Sequence, residues 1–216
     1  MCGRYVSPGQ ASIERAWQIR RSSGLDFPRR FNVQPTTDVP LLRLDAGELQ
    51  LAAARWGLIP HWWKKEKPPT FTINARLEEA AGKPMWRDPM RRSRCLLPAE
   101  GWYEWQALAG GKQPTLIRRS DGNPFCFAGL MSVWKDQLSC AILTKAADGP
   151  VAEVHDRMPV VLPDLAHAGW LDPGLEDATA FARAHALVHE FIHYPVSKRV
   201  NNARNEGPEL LEPLKA

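Results

Sequence analysis

Residues 95–106 read CLLPAEGWYEWQ, and the pattern continues through TLIR at 115–118, FCFAGLMSVW at 125–134 and SCAILT at 139–144. These runs are short, rich in β-branched and aromatic residues, and separated by turn formers at Gly110-Gly111 and Asp121-Gly122. The combination predicts strands over 95–98, 101–106, 115–118, 125–134 and 139–144. Upstream, Leu41-Leu42 and residues 51–56 predict two more strands joined by a turn at Asp45-Ala46-Gly47, and 158–162 is a further apolar run. Helical signals sit around this β-rich body. Ser7-Pro8-Gly9-Gln10 reads as a capping box with Pro at the first helical position, opening a helix through Ile13, Ala16, Trp17 and Arg20 with Gly24 as its stop. Asn74 opens NARLEEAA, which reads as a short helix over 74–81 with Asn74 at or near its N-cap. Residues 164–170 and 177–189 also look helical, 57–73 is a loop rich in Pro and Trp, and the tail from Glu206 reads as loop. The order predicts one α+β domain over residues 1–216, with a curved, mainly antiparallel sheet and peripheral helices.

Composition narrows the class. A 216-residue chain that is 44% hydrophobic can bury a full-sized core. No apolar run approaches the roughly 18 residues of a membrane-spanning helix, and the N-terminus lacks a basic region followed by an apolar stretch. The four cysteines, Cys2, Cys95, Cys126 and Cys140, form no C-x-x-C pair, which argues against structural zinc. The last three lie in strand-like runs and read as buried, reduced core residues, which points to the cytoplasm. The net charge of +4 is compatible with a polyanionic partner. Basic residues cluster at Arg29-Arg30, at Arg91-Arg92 with Arg94, and at Lys198-Arg199. The ordinary reading of such clusters is a solvated face. Trp62-Trp63 beside Lys64-Lys65 suggests an aromatic next to positive charge, as single-strand nucleic-acid grooves use.

The opening Met1-Cys2-Gly3-Arg4 has its own chemistry. Removal of Met1 before a small residue leaves Cys2 with a free α-amine beside its thiol. An amine of this kind condenses with an aldehyde to an imine, and the thiol then closes a five-membered thiazolidine. The α-amine titrates near ~7.7–8.0, so a usable fraction is neutral at pH 7. The thiol's pKa falls where Arg or protonated His is close. Taken alone, a cysteine at position 2 is ordinarily inert.

Eight stretches, the opening among them, change that weight. They are MCGRY at 1–5, RFNVQP at 30–35, ARWGLIPHWW at 54–63, INAR at 73–76, CLLPAEGWYEW at 95–105, AILTKAAD at 141–148, HDRMPVVL at 155–162 and PVSKRVNNARNEG at 195–207. In this order and nearly end to end, the chain resembles the SOS response-associated peptidase family, whose members include bacterial and mammalian proteins that shield abasic sites. The resemblance implies that family's barrel-like α+β fold. It also implies four catalytic residues around one pocket: Cys2 as nucleophile, Asn74, Glu104 and His155. The partner it implies is single-stranded DNA carrying an abasic site, met in the cytoplasm at the nucleoid. No cofactor, metal or membrane contact is expected, and a monomer is the default. Two departures stand out: Pro68-Pro69-Thr70-Phe71-Thr72 precede INAR as an insertion, and Met158 stands where some members carry Arg.

Each residue type suits the implied reaction. Glu104 can open the closed sugar and shuttle protons if burial between Trp102 and Trp105 raises its pKa. His155 can donate to the sugar oxygen, and the Asn74 amide can hold the α-amine or that oxygen. Arg4 and Arg76, and secondarily Lys145 and Arg157, are candidates to hold phosphates, while Pro35 and Trp63 are placed to stack on flanking bases. Linkage at the abasic carbon would keep the strand from β-elimination. Three other readings compete. His189-Glu190-Phe191-Ile192-His193 spells H-E-x-x-H, a zinc-peptidase motif if both histidines share one helix face, although Tyr194-Pro195 follows at once. A thiol or N-terminal-nucleophile peptidase would use Cys2 with Glu104 or His155. A non-catalytic single-strand binder would not need Cys2.

Overall fold

The computed structural model describes residues 2–19, 24–70 and 72–214. Met1, on whose removal the Cys2 chemistry depends, lies outside these residues. So do Arg20 of the first expected helix and Phe71 of the insertion.

The N-terminal segment is a strand before it is a helix: β1 spans Tyr5–Ser7, and α1 follows at Gln10–Ala16. Ser7 is therefore no helix cap. Gly9 takes the N-cap with no side-chain hydrogen bond, and the Ser7 hydroxyl donates to the Pro8 carbonyl. Next come β2 (Arg30–Val33), β3 (Asp38–Asp45) and β4 (Glu48–Trp56). The β3–β4 turn places Ala46 and Gly47 both at positive φ, the two-residue geometry that matches strand twist. Asn74 does not cap a helix. It opens β5 (Asn74–Arg76), which pairs with a later strand, and only then does α2 form over Leu77–Ala80. Helix α3 (Pro84–Arg92), with Pro in its first turn, gave no clear sequence signal.

The β-rich stretch falls where it was expected, with longer ends: β6 (Arg94–Ala99), β7 (Gly101–Leu108), β8 (Gly111–Arg119), β9 (Phe125–Trp134) and β10 (Gln137–Ala146). The 158–162 run divides into β11 (Arg157–Pro159) and β12 (Val161–Leu162). Helices α4 (Asp164–Leu171) and α5 (Ala178–His185) follow, the second capped by the Asp177 carboxylate on the Ala180 amide. Strand β13 (Phe191–Pro195) covers most of the H-E-x-x-H string. The string therefore cannot present its two histidines on one helical face, and His193 pairs with Ile117 of β8.

One sheet runs β13-β8-β7-β1-β2. In the other, β10 pairs with β4, β4 with β3, β3 with β6, β6 with β9, and β9 again with β10. That circuit closes a barrel, and only its short β4–β10 seam is parallel. The architecture is thus α+β, mostly antiparallel, with helices at the periphery. Trp102, Phe125, Phe127 and Phe191 stack edge to face inside, together with Tyr5 and Trp56. Cys95, Cys126 and Cys140 are buried, free thiols as the strand pattern predicted. No helix among the described residues is long and apolar enough to cross a membrane.

Candidate active site

Strand β1 lies between β2 and β7, and this places Cys2, just ahead of it, inside the protein rather than at its surface. Burial pushes the Cys2 thiol well above its ordinary range, and the negative charge of Glu104 adds to the effect. A neighbouring Arg or protonated His would lower it. The site does the opposite and keeps this sulfur protonated.

Glu104 comes from the middle of β7. Strand alternation sends Trp102 and Glu104 to one face, and Tyr103 and Trp105 to the other. Glu104 is therefore not sandwiched between Trp102 and Trp105. It shares the Cys2 side with Trp102, while the Trp105 indole donates to Asn201 on the far side. Its side chain is 3% exposed, and burial raises its pKa to about 7. His155 follows a short 3₁₀ turn over Gly149–Glu153 and brings Nε2 to 3.8 Å from Glu104 Oε2. The Arg157 amide donates to His155 Nδ1 at 2.9 Å. In the neutral tautomer that accepts this bond, Nδ1 carries no hydrogen and the proton sits on Nε2, facing Glu104. Asp156 also lies 2.8 Å from Nδ1, but its side chain is 86% exposed, where water weakens its pull. Burial lowers the His155 pKa and favours the neutral imidazole.

Asn74 enters from β5, held by the pairing of Asn74 with Ile142 of β10. Its Nδ2 donates to the Cys2 carbonyl at 2.8 Å. Its Oδ1 is buried and accepts no hydrogen bond from the described residues. Trp56 Nε1 donates to the Ile73 carbonyl, fixing the entry to this strand. Cys2, Asn74, Glu104 and His155, four residues spread over 154 positions of sequence, are thus linked in one place. Among the described residues no group of three His, Cys, Asp or Glu side chains is arranged to hold a metal ion.

The six residues expected at DNA divide. Arg76 is exposed beside Asn74, and its one ion pair among the described residues is a 3.4 Å contact to Glu79. Lys145 is half-buried on β10 opposite Met158. Pro35 shares an apolar recess with Pro68, Pro69 and Ile73 next to Asn74. Trp63 is half-buried, donating from Nε1 to the Lys67 carbonyl at 2.8 Å. Arg4 is half-buried and spends Nη1 on Asn32 Oδ1 at 2.9 Å and the Val200 carbonyl at 3.1 Å. Arg157 forms a two-pronged pair with Glu78 at 2.9 and 3.0 Å and donates to the Thr144 carbonyl. This pair holds the Glu78 carboxyl down at about 2. In these positions Arg4 ties β2 to the 198–201 turn, and Arg157 ties β11 to α2 and β10. Met158 is fully buried in the core, so its side chain reaches no phosphate.

Two residues that shape the site escaped the sequence reading. Asn32 is fully buried, and its Nδ2 donates to the carbonyls of Val200, Asn202 and Asn205, docking the 198–205 segment onto β2 beside Arg4. An asparagine amid the apolar neighbours of RFNV was its only signal. Thr144, buried, donates to the Ala75 carbonyl and braces the Asn74 strand from the opposite side.

Comparison with known proteins agrees with this architecture. The family model described as "SOS response associated peptidase (SRAP)" matches residues 1–203. The chain is 36% identical, over 99% of its length and 100% of the relative's, to the Escherichia coli protein named abasic site processing protein YedK. It is 35% identical to the Bacillus subtilis abasic site processing protein YoqW, over 98% of this chain and 99% of that one. Among solved structures, a phage-related protein from Bordetella bronchiseptica superposes with a TM-score of 0.73 at 33% identity, covering 91% of this chain and 95% of that one. A Bacteroides thetaiotaomicron protein, 22% identical, shares the fold with a TM-score of 0.86 over 99% of this chain and 100% of that one. With a family model spanning nearly its whole length and relatives of this identity, the chain belongs to the SOS response associated peptidase family.

Proposed function

We propose that this protein captures abasic sites in single-stranded DNA by forming a thiazolidine between the mature N-terminal Cys2 and the open-chain aldehyde of the lesion. The relatives' names point to abasic-site processing. The observation that carries the chemistry is the meeting of a buried Cys2 thiol with Glu104, a carboxyl raised to about 7.

With Met1 removed, the α-amine of Cys2 attacks the aldehyde first, because burial keeps the thiol protonated. The carbinolamine loses water to give an iminium that keeps its N–H, and Glu104 in its acid form donates the proton that the departing hydroxyl needs. Glu104 then stands as carboxylate and takes the proton from Cys2 Sγ. The S–C bond forms as the C=N bond opens and its electron pair returns to nitrogen, leaving a neutral ring N–H and Glu104 in its acid form again. The balance is aldehyde plus aminothiol giving thiazolidine plus one water. A carboxyl titrating near neutrality serves both directions of this transfer. His155 Nε2–H, 3.8 Å from Glu104, is placed to donate to the sugar oxygen during ring opening. The open acceptor Asn74 Oδ1 receives a hydrogen from the new α-amine, orienting its lone pair. The saturated ring leaves no iminium to drive β-elimination. Arg76 and Lys145 offer cations for phosphates, and Pro35 and Trp63 offer flat faces for flanking bases.

A protonated thiol is the wrong starting state for a thiolate peptidase, which favours the aldehyde reaction. The test is the intact mass of the product with a single-stranded oligonucleotide carrying one abasic site. Thiazolidine formation predicts the sum of the two masses less one water, in a species that borohydride leaves unchanged. An adduct that gains two hydrogens with borohydride is an imine and contradicts the ring closure.

A further inference from the structure

Arg91 and Arg92 take no part in the site above. Both are exposed in the last turn of α3, and with His61, Asp88, Met131 and Val133 they line an open groove of about 530 Å³. One rim is the β9–β10 hairpin, whose tip carries Lys135, at 4.5 Å from the Trp134 ring centre. His61 lines the groove from the loop after β4, where the next residue, Trp62, is 44% exposed and Lys65 lies 5.7 Å over the Trp63 ring. Trp134 Nε1 donates to the Trp63 carbonyl at 2.7 Å and pins hairpin to loop, so the groove is a built feature of the fold. Arg87 takes up the charge of Asp88 at 3.5 Å. Lys64, Arg91, Arg92 and Lys135 form no ion pair among the described residues.

The same loop leads to the reactive end. His61 lines the groove, Ile73 lines the recess with Pro35, and Asn74 comes next. Along β10, Gln137 pairs with Trp134 and Ile142 pairs with Asn74. At ~3.3 Å per residue these levels are about 17 Å apart, the span of a few nucleotides.

We propose that the groove between α3 and the β9–β10 hairpin seats the single-stranded flank of the DNA captured at Cys2. Arg91, Arg92 and Lys135 hold phosphates there, and the exposed Trp62 ring stacks on a base. Unpaired cations beside an exposed indole fit a single strand, whose bases are open to stacking, better than a duplex, whose bases are not. The inference rests on the reading of Cys2 as the capturing residue, and its test separates the two.

The experiment compares wild type with Arg91→Ala/Arg92→Ala/Lys135→Ala on two abasic oligonucleotides, one with about 2 and one with about 15 nucleotides on either side of the lesion, a contrast set by the ~4–16-nucleotide footprints of single-strand binders. Affinity for the long strand without a lesion is measured as a function of salt. Removing three phosphate contacts predicts a salt slope smaller by about 2 and roughly tenfold or greater loss of long-strand affinity at low salt. The variant should capture the short oligonucleotide at the wild-type rate and melt at the wild-type temperature. Unchanged long-strand affinity and slope would overturn the proposal, as would a loss seen for duplex and not for single strand. If wild type captures neither lesion, the Cys2 reading fails, while affinity for the intact strand still reports on the groove.

Discussion

Glu104 places a carboxyl where its charge is costly. Its pKa of about 7 lies well above the ordinary ~4.3, so the folded state holds the proton more tightly than the unfolded chain does. The stability linked to that proton is complete below pH ~4.5 and is lost as pH rises through about 7. A difference of that size corresponds to a few kcal/mol. Glu104→Gln, which is neutral at every pH, should therefore melt higher than wild type at pH 8 and close to it at pH 4.5, as calorimetry across pH would read. The same variant should capture abasic DNA on the order of 10²-fold or more slowly, because it can neither donate nor accept the proton. Equal capture rates would remove Glu104 from the reaction. At this scale motif resemblance named the four candidate residues that the structure brings together, and left their electrostatics unread. Whether Glu104 faced Trp102 or Trp105, and whether the Cys2 thiol went up or down, depended on which strand face met β1.

Arg94 shows how an element can mislead a sequence reader. Beside Arg91-Arg92 it reads as part of a basic patch, yet it is 4% exposed at the start of β6. Its guanidinium donates to the carbonyls of Met90 and Arg91 at the end of α3 and of Trp170 and Asp172 at the end of α4. It thus satisfies helix termini that would otherwise be buried without donors. Arg94→Ala should cost about 3 kcal/mol or more by chemical denaturation, since several buried acceptors lose their partner together. An effect under ~0.5 kcal/mol would mean that water replaces it freely. Gly129 of β9 is a second such position. A Cβ there would meet the Leu97 side chain, Cys95 Sγ at 3.0 Å and the Ala141 carbonyl oxygen at 3.1 Å. Gly129→Ala should cost roughly 1–3 kcal/mol by overpacking, measured as a lower unfolding midpoint. Strand alternation and turn residues made β6 through β10 legible in sequence. Asn74 was misplaced as a helix cap because the three-residue strand it opens exists only through its partner β10, a contact 68 positions away. The Ser7 capping pattern failed for the same reason, since pairing with β2 claims that residue first.

Across the whole molecule, packing of the β13-β8-β7-β1-β2 sheet against the barrel is what brings the two halves of the site together. β10 pairs with β9, β4, β5 and β11 in turn, so one strand carries Asn74 on β5 and the segment after His155 on β11. The second sheet delivers Glu104 on β7 against β1, and with it Cys2. Nothing in local periodicity announces that assembly. Only the order of motifs along the full chain pointed to it. Covalent capture by Cys2 leaves a protein–DNA product that a denaturing gel resolves. Purified protein, with Met1 removal established by mass spectrometry, is mixed with a single-stranded oligonucleotide bearing one abasic site, alongside Cys2→Ala and an undamaged strand. Capture by Cys2 predicts a heat-stable shifted band for wild type with damaged DNA and for no other pairing. No band from the processed protein, or an equal band from Cys2→Ala, would contradict it.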